Sequence, residues 1–168
     1  MTNSFAPEIL LLPPGGQQLE VWLTDPQFAP PKEGAGLDGI AFGGDGNLYV
    51  NTFTPGELFR IDVKDGAAAK VTKLKTSRPL SHPDGLRVLQ GNQFLMIEGG
   101  GSLDRVTVTG DSATIETVKD GFVQPTSVTR VGDTAFVSEG QLSSLAYKAK
   151  GEAPRLPFRV YAVPLSGP

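Results

Sequence analysis

GLDGIAFGGDGNLYVNTF, residues 36–53, shares its skeleton with a second stretch of the chain, HPDGLRVLQGNQFLMIEG, residues 82–99. Each holds an Asp-Gly pair (Asp38-Gly39, Asp84-Gly85), an apolar run, a Gly/Asn turn and a second apolar run, then a polar residue, Asn51 or Glu98. A third copy, QPTSVTRVGDTAFVSEGQL at residues 124–142, puts Thr126 where the two aspartates fall. The three positions are 46 and 42 residues apart. That period matches one four-stranded blade of about 40–50 residues, a unit that must stack on its neighbours to bury its apolar faces.

Composition agrees with short strands. The 168 residues suit about one domain, and 39% hydrophobic content is enough for a core. The 21 Gly and 14 Pro interrupt almost every apolar run, which favours an all-β fold over helices. A net charge of −3 gives no basic footprint for nucleic acid. No apolar stretch approaches the roughly 20 residues of a membrane span. The first residues have no positive region leading into an apolar one, so no signal peptide is expected; the cytoplasm is the default compartment, with a periplasmic longer parent as the alternative. With no cysteine, disulfides, thiolate catalysis and Cys-based zinc sites are excluded.

Each copy reads as strand, turn, strand. First strands are expected at 40–42, 86–88 and 127–129, and second strands at 48–50, 94–97 and 135–137. The turns between them are rich in Gly, Asn and Asp, residues that tolerate the positive φ of tight hairpins. Third strands follow at 58–61 and 103–108, fourth strands at 70–74 and 113–118. A last strand at 159–163 is reached through a Pro-containing excursion over 148–157. Residues 2–12 align with 51–61 when one residue is gapped, placing Asn3 against Asn51, and 18–23 then makes a fourth strand. The chain therefore divides into a half blade with its connection (1–35) and blades at 36–80, 81–122 and 123–168, about three and a half in one partial β-propeller.

Propellers close with about 4–8 blades, and an open half-ring would leave apolar blade faces in water. Three explanations remain open: a longer parent protein, two copies that cover the faces, or tight closure. An associating or incomplete ring is favoured over a free monomer.

Aligned in this way, the sequence resembles the regucalcin/gluconolactonase group of six-bladed β-propellers (SMP-30/gluconolactonase/LRE-like). The carrying residues are LDGIAF at 37–42 with DGNLYV at 45–50, PDGL at 83–86, and Pro125-Thr126-Ser127. The resemblance covers nearly the whole chain, as the carboxy-terminal half of such a ring. It implies hydrolysis of a sugar lactone or small ester with one divalent metal, calcium first, with magnesium, manganese or zinc as alternatives. It also implies Asp84 as metal ligand and general base, with Asp38 where the family places an asparagine ligand. The family's glutamate ligand belongs to a blade in the other half.

On their own terms, Asp38, Asp84 and Thr126 are expected just before the first strands, converging on the mouth of a central channel. Clustered carboxylates without Cys or several His suit hard cations. The bland alternative is that each Asp-Gly is an ordinary turn pair, with Asp capping backbone donors and Gly supplying positive φ. His82, the lone histidine, is a candidate to contact substrate or tune Asp84, or else a loop residue. Asn51, Glu98 and Glu139, with Asn3, are placed at one position after the second strand, where they either contact ligand or cap strand ends. Asp45 and Asp133 read as turn residues, and Trp22, Phe28 and Phe59 as packing. Ser127, Ser138 and Ser143 lack an esterase elbow, and Gly99-Gly100-Gly101 precedes no helix that would make it a phosphate loop. The rival to an enzyme is a non-catalytic scaffold that binds a ligand or protein partner.

Overall fold

Leu48-Tyr49-Val50 and Phe94-Leu95-Met96-Ile97 are apolar at every position because their strands are covered on both faces. The computed structural model describes residues 1–143 and 153–165. Its strands form four successive sheets, antiparallel except for one short parallel pairing. The first pairs β1 (Glu8–Leu11) with β2 (Glu20–Thr24), followed by one 3-10 turn at Pro26–Phe28. The second runs β3 (Leu37–Phe42), β4 (Leu48–Thr52), β5 (Glu57–Lys64), β6 (Ala67–Lys73). A two-residue strand, β7 (Lys75–Thr76), then crosses to the next sheet and pairs parallel with its outer strand, Lys75 opposite Ser112. That sheet runs β8 (Pro83–Gln90), β9 (Gln93–Glu98), β10 (Ser102–Thr109), β11 (Ser112–Lys119). The last sheet is β12 (Pro125–Val131), β13 (Thr134–Glu139), β14 (Val160–Pro164). These are the blades of a β-propeller, about three and a half of them.

Side chains alternate across a strand, so each middle strand feeds two cores. Val50 joins Ile9, Phe28, Leu37 and Phe59 between the first and second blades. Tyr49 turns the other way and meets Leu86, Phe94 and Met96 between the second and third. Leu95 and Ile97 point onward to Val128, Ala135 and Val137 in the last blade. Phe28 stands edge-on to Phe59, ring centres 5.1 Å apart, and both are fully buried, which gives them the packing role expected.

The inner strands begin earlier than expected, at Leu37, Pro83 and Pro125, and each is bulged at the same place. The irregularities fall between Leu37 and Ile40, between Pro83 and Leu86, and between Pro125 and Ser127. Asp38, Asp84 and Thr126 therefore lie inside strands, at bulges, rather than in preceding loops. The glycines after the two aspartates do not supply positive φ either. They let adjacent blades approach: a Cβ on Gly39 would sit 2.2 Å from the Asp84 carbonyl oxygen, and one on Gly85 would sit 3.1 Å from that of Thr126. Positive φ belongs instead to the residues before the two prolines, His82 at 56° and Gln124 at 45°.

At the start of the chain the alignment is ungapped. Thr2 bridges to Ile9 as Asn51 pairs with Leu58, so Thr2 matches Asn51 and Asn3 matches Thr52. The last strand falls at Val160–Pro164, and the excursion expected at 148–157 lies partly outside the described residues.

Candidate functional site

The bulges of β3 and β8 bring two carboxyl groups together. Asp38 and Asp84, each half-buried, are within hydrogen-bonding reach of one another across the junction of the second and third blades. Burial raises both above the ordinary carboxylate range. Asp84 is pushed up to about 7 by burial and by the Asp38 carboxyl beside it, against a lowering contact from the Gly85 amide. Two carboxyls in contact share one proton, because both cannot carry full charge at that distance without a cation between them.

The backbone under the pair is held rigidly. Asn51 is fully buried; its Oδ1 accepts the Gly39 amide at 2.8 Å and its Nδ2 donates to the Asp84 carbonyl at 2.8 Å. One blade earlier, Thr2 repeats the stitch, its hydroxyl donating to the Asp38 carbonyl at 2.6 Å. Ile97 holds the equivalent position in the third blade and has no polar group to offer the last one.

That equivalence changes the placement of the expected polar ring. Glu98 lies opposite Pro83 and Glu139 opposite Pro125, the position that Thr52 holds opposite Leu37. Asn51 is one residue earlier and points to the other face of its strand, since a single-residue offset reverses every side chain. Glu98, 2% exposed, accepts the Ser81 amide and binds Arg78 at 2.6 Å. Glu139 accepts the Val123 amide at 2.7 Å. These carboxylates and the Asn51 amide are all engaged in holding backbone.

The remaining candidates stand apart from the pair. The Thr126 hydroxyl turns toward Ser138 at 3.5 Å. His82 is exposed, its ring 4.9 Å from that of Phe53, and it lines a small cleft of about 170 Å³ with Gly99, Gln124 and Leu142. Asp45 is a turn residue as expected, accepting from the Asn47 amide and the Tyr49 hydroxyl at 3.0 and 2.9 Å.

Sequence reasoning overlooked a buried ionic group. Asp104 is fully buried and accepts from Ser102 and Thr117 at 2.8 and 2.7 Å, while Arg78 reaches it at 3.0 Å as well as Glu98. Burial and the nearby Asp104 raise the Glu98 carboxyl, with the Ser81 amide and Arg78 opposing. The available signal was parity: Asp104 shares a strand face with Val106 and Val108, where an apolar residue belongs.

As a metal centre the donor set is partial. Asp38 and Asp84 offer hard oxygen ligands, and a cation would take the place of their shared proton. Among the described residues no third acidic or histidine side chain joins them. Calcium takes 6–8 oxygens, so further ligands would have to come from water or from outside these blades.

No protein-family model matches the chain, and no curated protein matches it either. Solved structures do. A gluconolactonase from Xanthomonas campestris is similar over 80% of this chain and 42% of its own, with 22% identity and a TM-score of 0.61. Virginiamycin B lyase from Staphylococcus aureus matches over 81% and 43%, at 17% identity and a TM-score of 0.59. A luciferin-regenerating enzyme matches over 81% and 64%, at 16% identity and a TM-score of 0.55. The chain thus spans about half the length of the first two, and what it shares with all three is the propeller fold.

Proposed function

We propose that Asp38 and Asp84 form one side of a hydrolytic site of the gluconolactonase type, acting on a sugar lactone or small ester. The observation that supports this reading is the contact of the two carboxyls across neighbouring blades, at matched bulges of a propeller. In this reading Asp84 is the general base. With the shared proton displaced, the Asp84 carboxylate is ionised and placed to take a proton from water. Water attacks the carbonyl carbon as Asp84 takes its proton; the acyl C–O bond then breaks, and the departing oxygen recovers that proton, giving a hydroxy acid from a lactone or an acid and an alcohol from an ester. Asp38 holds the orientation of Asp84 and sets its proton affinity. Bound to both carboxylates, a divalent ion, calcium first, would polarise the carbonyl.

A second reading is supported by Asn51, Glu98 and Glu139, whose polar groups are used internally. Buried polar groups spent on backbone in this way suit a scaffold that binds a ligand or partner without turning it over.

Calcium calorimetry on the wild type and Asp84→Asn, with hydrolysis assays on a lactone and small-ester panel, separates the two. The hydrolytic reading expects a calcium heat and turnover, both lost in the variant. Equal heats in the two proteins, together with no turnover of any substrate, would favour the scaffold.

A further inference from the structure

The blade junctions carry equivalent clefts at the end of the blades where the β3–β4, β8–β9 and β12–β13 turns lie, and the repeat provides its own internal comparison. Arg60 lies opposite Tyr49 and Arg105 opposite Leu95, matching positions of the second and third blades. Each reaches across to the next blade just past its third strand, Arg60 to the Gly110 carbonyl at 2.7 Å and Arg105 to the Leu165 carbonyl at 3.2 Å.

The surroundings of the two arginines differ in charge. Arg60 is neutralised twice, by Asp62 and Asp111, both at 2.9 Å, and its cleft of about 430 Å³ also contains Asp45. In the cleft of about 420 Å³ around Arg105, Thr107 stands where Asp62 would be, and the Gln90-Gly91-Asn92 turn carries no acid where the second blade has Asp45. A second guanidinium, Arg130, enters from the last blade at the position of Val88 and Phe42. Among the described residues Arg105 meets no carboxylate; Arg130 donates to the Gly132 and Leu89 carbonyls at 2.6 and 2.9 Å and lies 3.6 Å from Asp133, which also lines the cleft with its side chain 80% exposed. The walls are completed by Gln90 and Gln93, whose amides bond to each other at 3.0 Å.

Two guanidiniums face this polar cleft against one largely exposed acid, Asp133, so the cleft keeps a net positive charge that suits a negative ligand. Arginine's fork matches planar and tetrahedral oxyanions through paired hydrogen bonds. We propose that the Arg105–Arg130 cleft binds a small oxyanion group, a phosphoryl or carboxylate group of a ligand. This site is independent of the Asp38–Asp84 pair.

Calorimetric titration at low salt with inorganic phosphate, acetate and chloride, at matched ionic strength, tests it. Saturable binding is expected for phosphate or acetate, weakened about tenfold or more in Arg130→Gln and in Arg105→Gln, the loss of one charged hydrogen bond or more. Lys64→Gln, at the neighbouring cleft, should leave it unchanged. Tighter phosphate identifies a phosphoryl ligand; equal or tighter acetate identifies a carboxylate. Should Arg105→Gln fail to fold, Arg130→Lys, which keeps the charge and loses the fork, is expected to weaken binding by a smaller factor. No saturation, chloride binding equal to both oxyanions, or affinity unchanged by the arginine substitutions would overturn the proposal.

Discussion

The carboxamide of Asn51 donates to the main-chain carbonyl of Asp84 at 2.8 Å, tying the second blade to the third directly beneath the carboxyl pair. Its other end accepts the Gly39 amide, so one buried side chain sets the spacing of both strands that bear the aspartates. Replacing Asn51 with Leu leaves an amide and a carbonyl buried without partners. The expected cost is roughly 2–6 kcal/mol of stability, from two such groups at about 1–3 kcal/mol each. Urea unfolding of the two proteins measures it, and a loss below about 0.5 kcal/mol would mean that the stitch is not needed.

The glycines make a graded pair. Gly39→Ala drives a methyl to 2.2 Å from the Asp84 carbonyl, so the blades must separate, costing about 3 kcal/mol or more. At Gly85 the nearest atoms would be 3.1 Å away, and about 1 kcal/mol is expected. Thermal melts should rank the two variants in that order.

Arg78 compensates two buried carboxylates at once. Arg78→Met strands the charges of Glu98 and Asp104, at an expected cost of about 3–5 kcal/mol. Glu98→Gln in the same background should recover part of this loss, by removing one of the uncompensated acids. A double-mutant cycle on unfolding free energies checks the coupling.

The carboxyl pair gives stability a pH dependence of defined sign. Folded, Asp84 holds its proton up to about pH 7; unfolded, it releases it near 3.8, the ordinary aspartate value. The folded state binds more protons in that window, so this contribution is complete below about pH 4 and is lost as the pH rises through 7. Asp38→Asn removes the repelling partner and should raise stability at pH 8 by about 1–2 kcal/mol relative to wild type, allowing for solvent screening at a half-buried site. Denaturant melts at pH 5 and pH 8 would show the flatter profile.

The blades were legible because Asp-Gly, two apolar runs and a Gly/Asn turn recur along one chain. The roles of the small and polar residues were less so. Gly39 serves Asp84, 45 residues away, a contact that no local turn rule contains. Asn51 and Glu98 look alike as the polar residue ending an apolar run, yet the registers against β3 and β8 put them on opposite strand faces. Thr2 was hidden by a gap that the backbone does not need. Asp104 was readable in principle, since it breaks the alternation of β10. Arg78 was not, because its partners come from two other strands.

Carboxyl carbon NMR of aspartate-labelled protein, titrated from pH 3 to pH 10, addresses the site most directly, with Asp84 assigned through Asp84→Asn. In the wild type the Asp84 resonance should move with a midpoint of about 7, and in Asp38→Asn the midpoint should drop toward the ordinary carboxylate range. A wild-type midpoint near 4, indifferent to the substitution, would mean that the two blades do not bring their acids together.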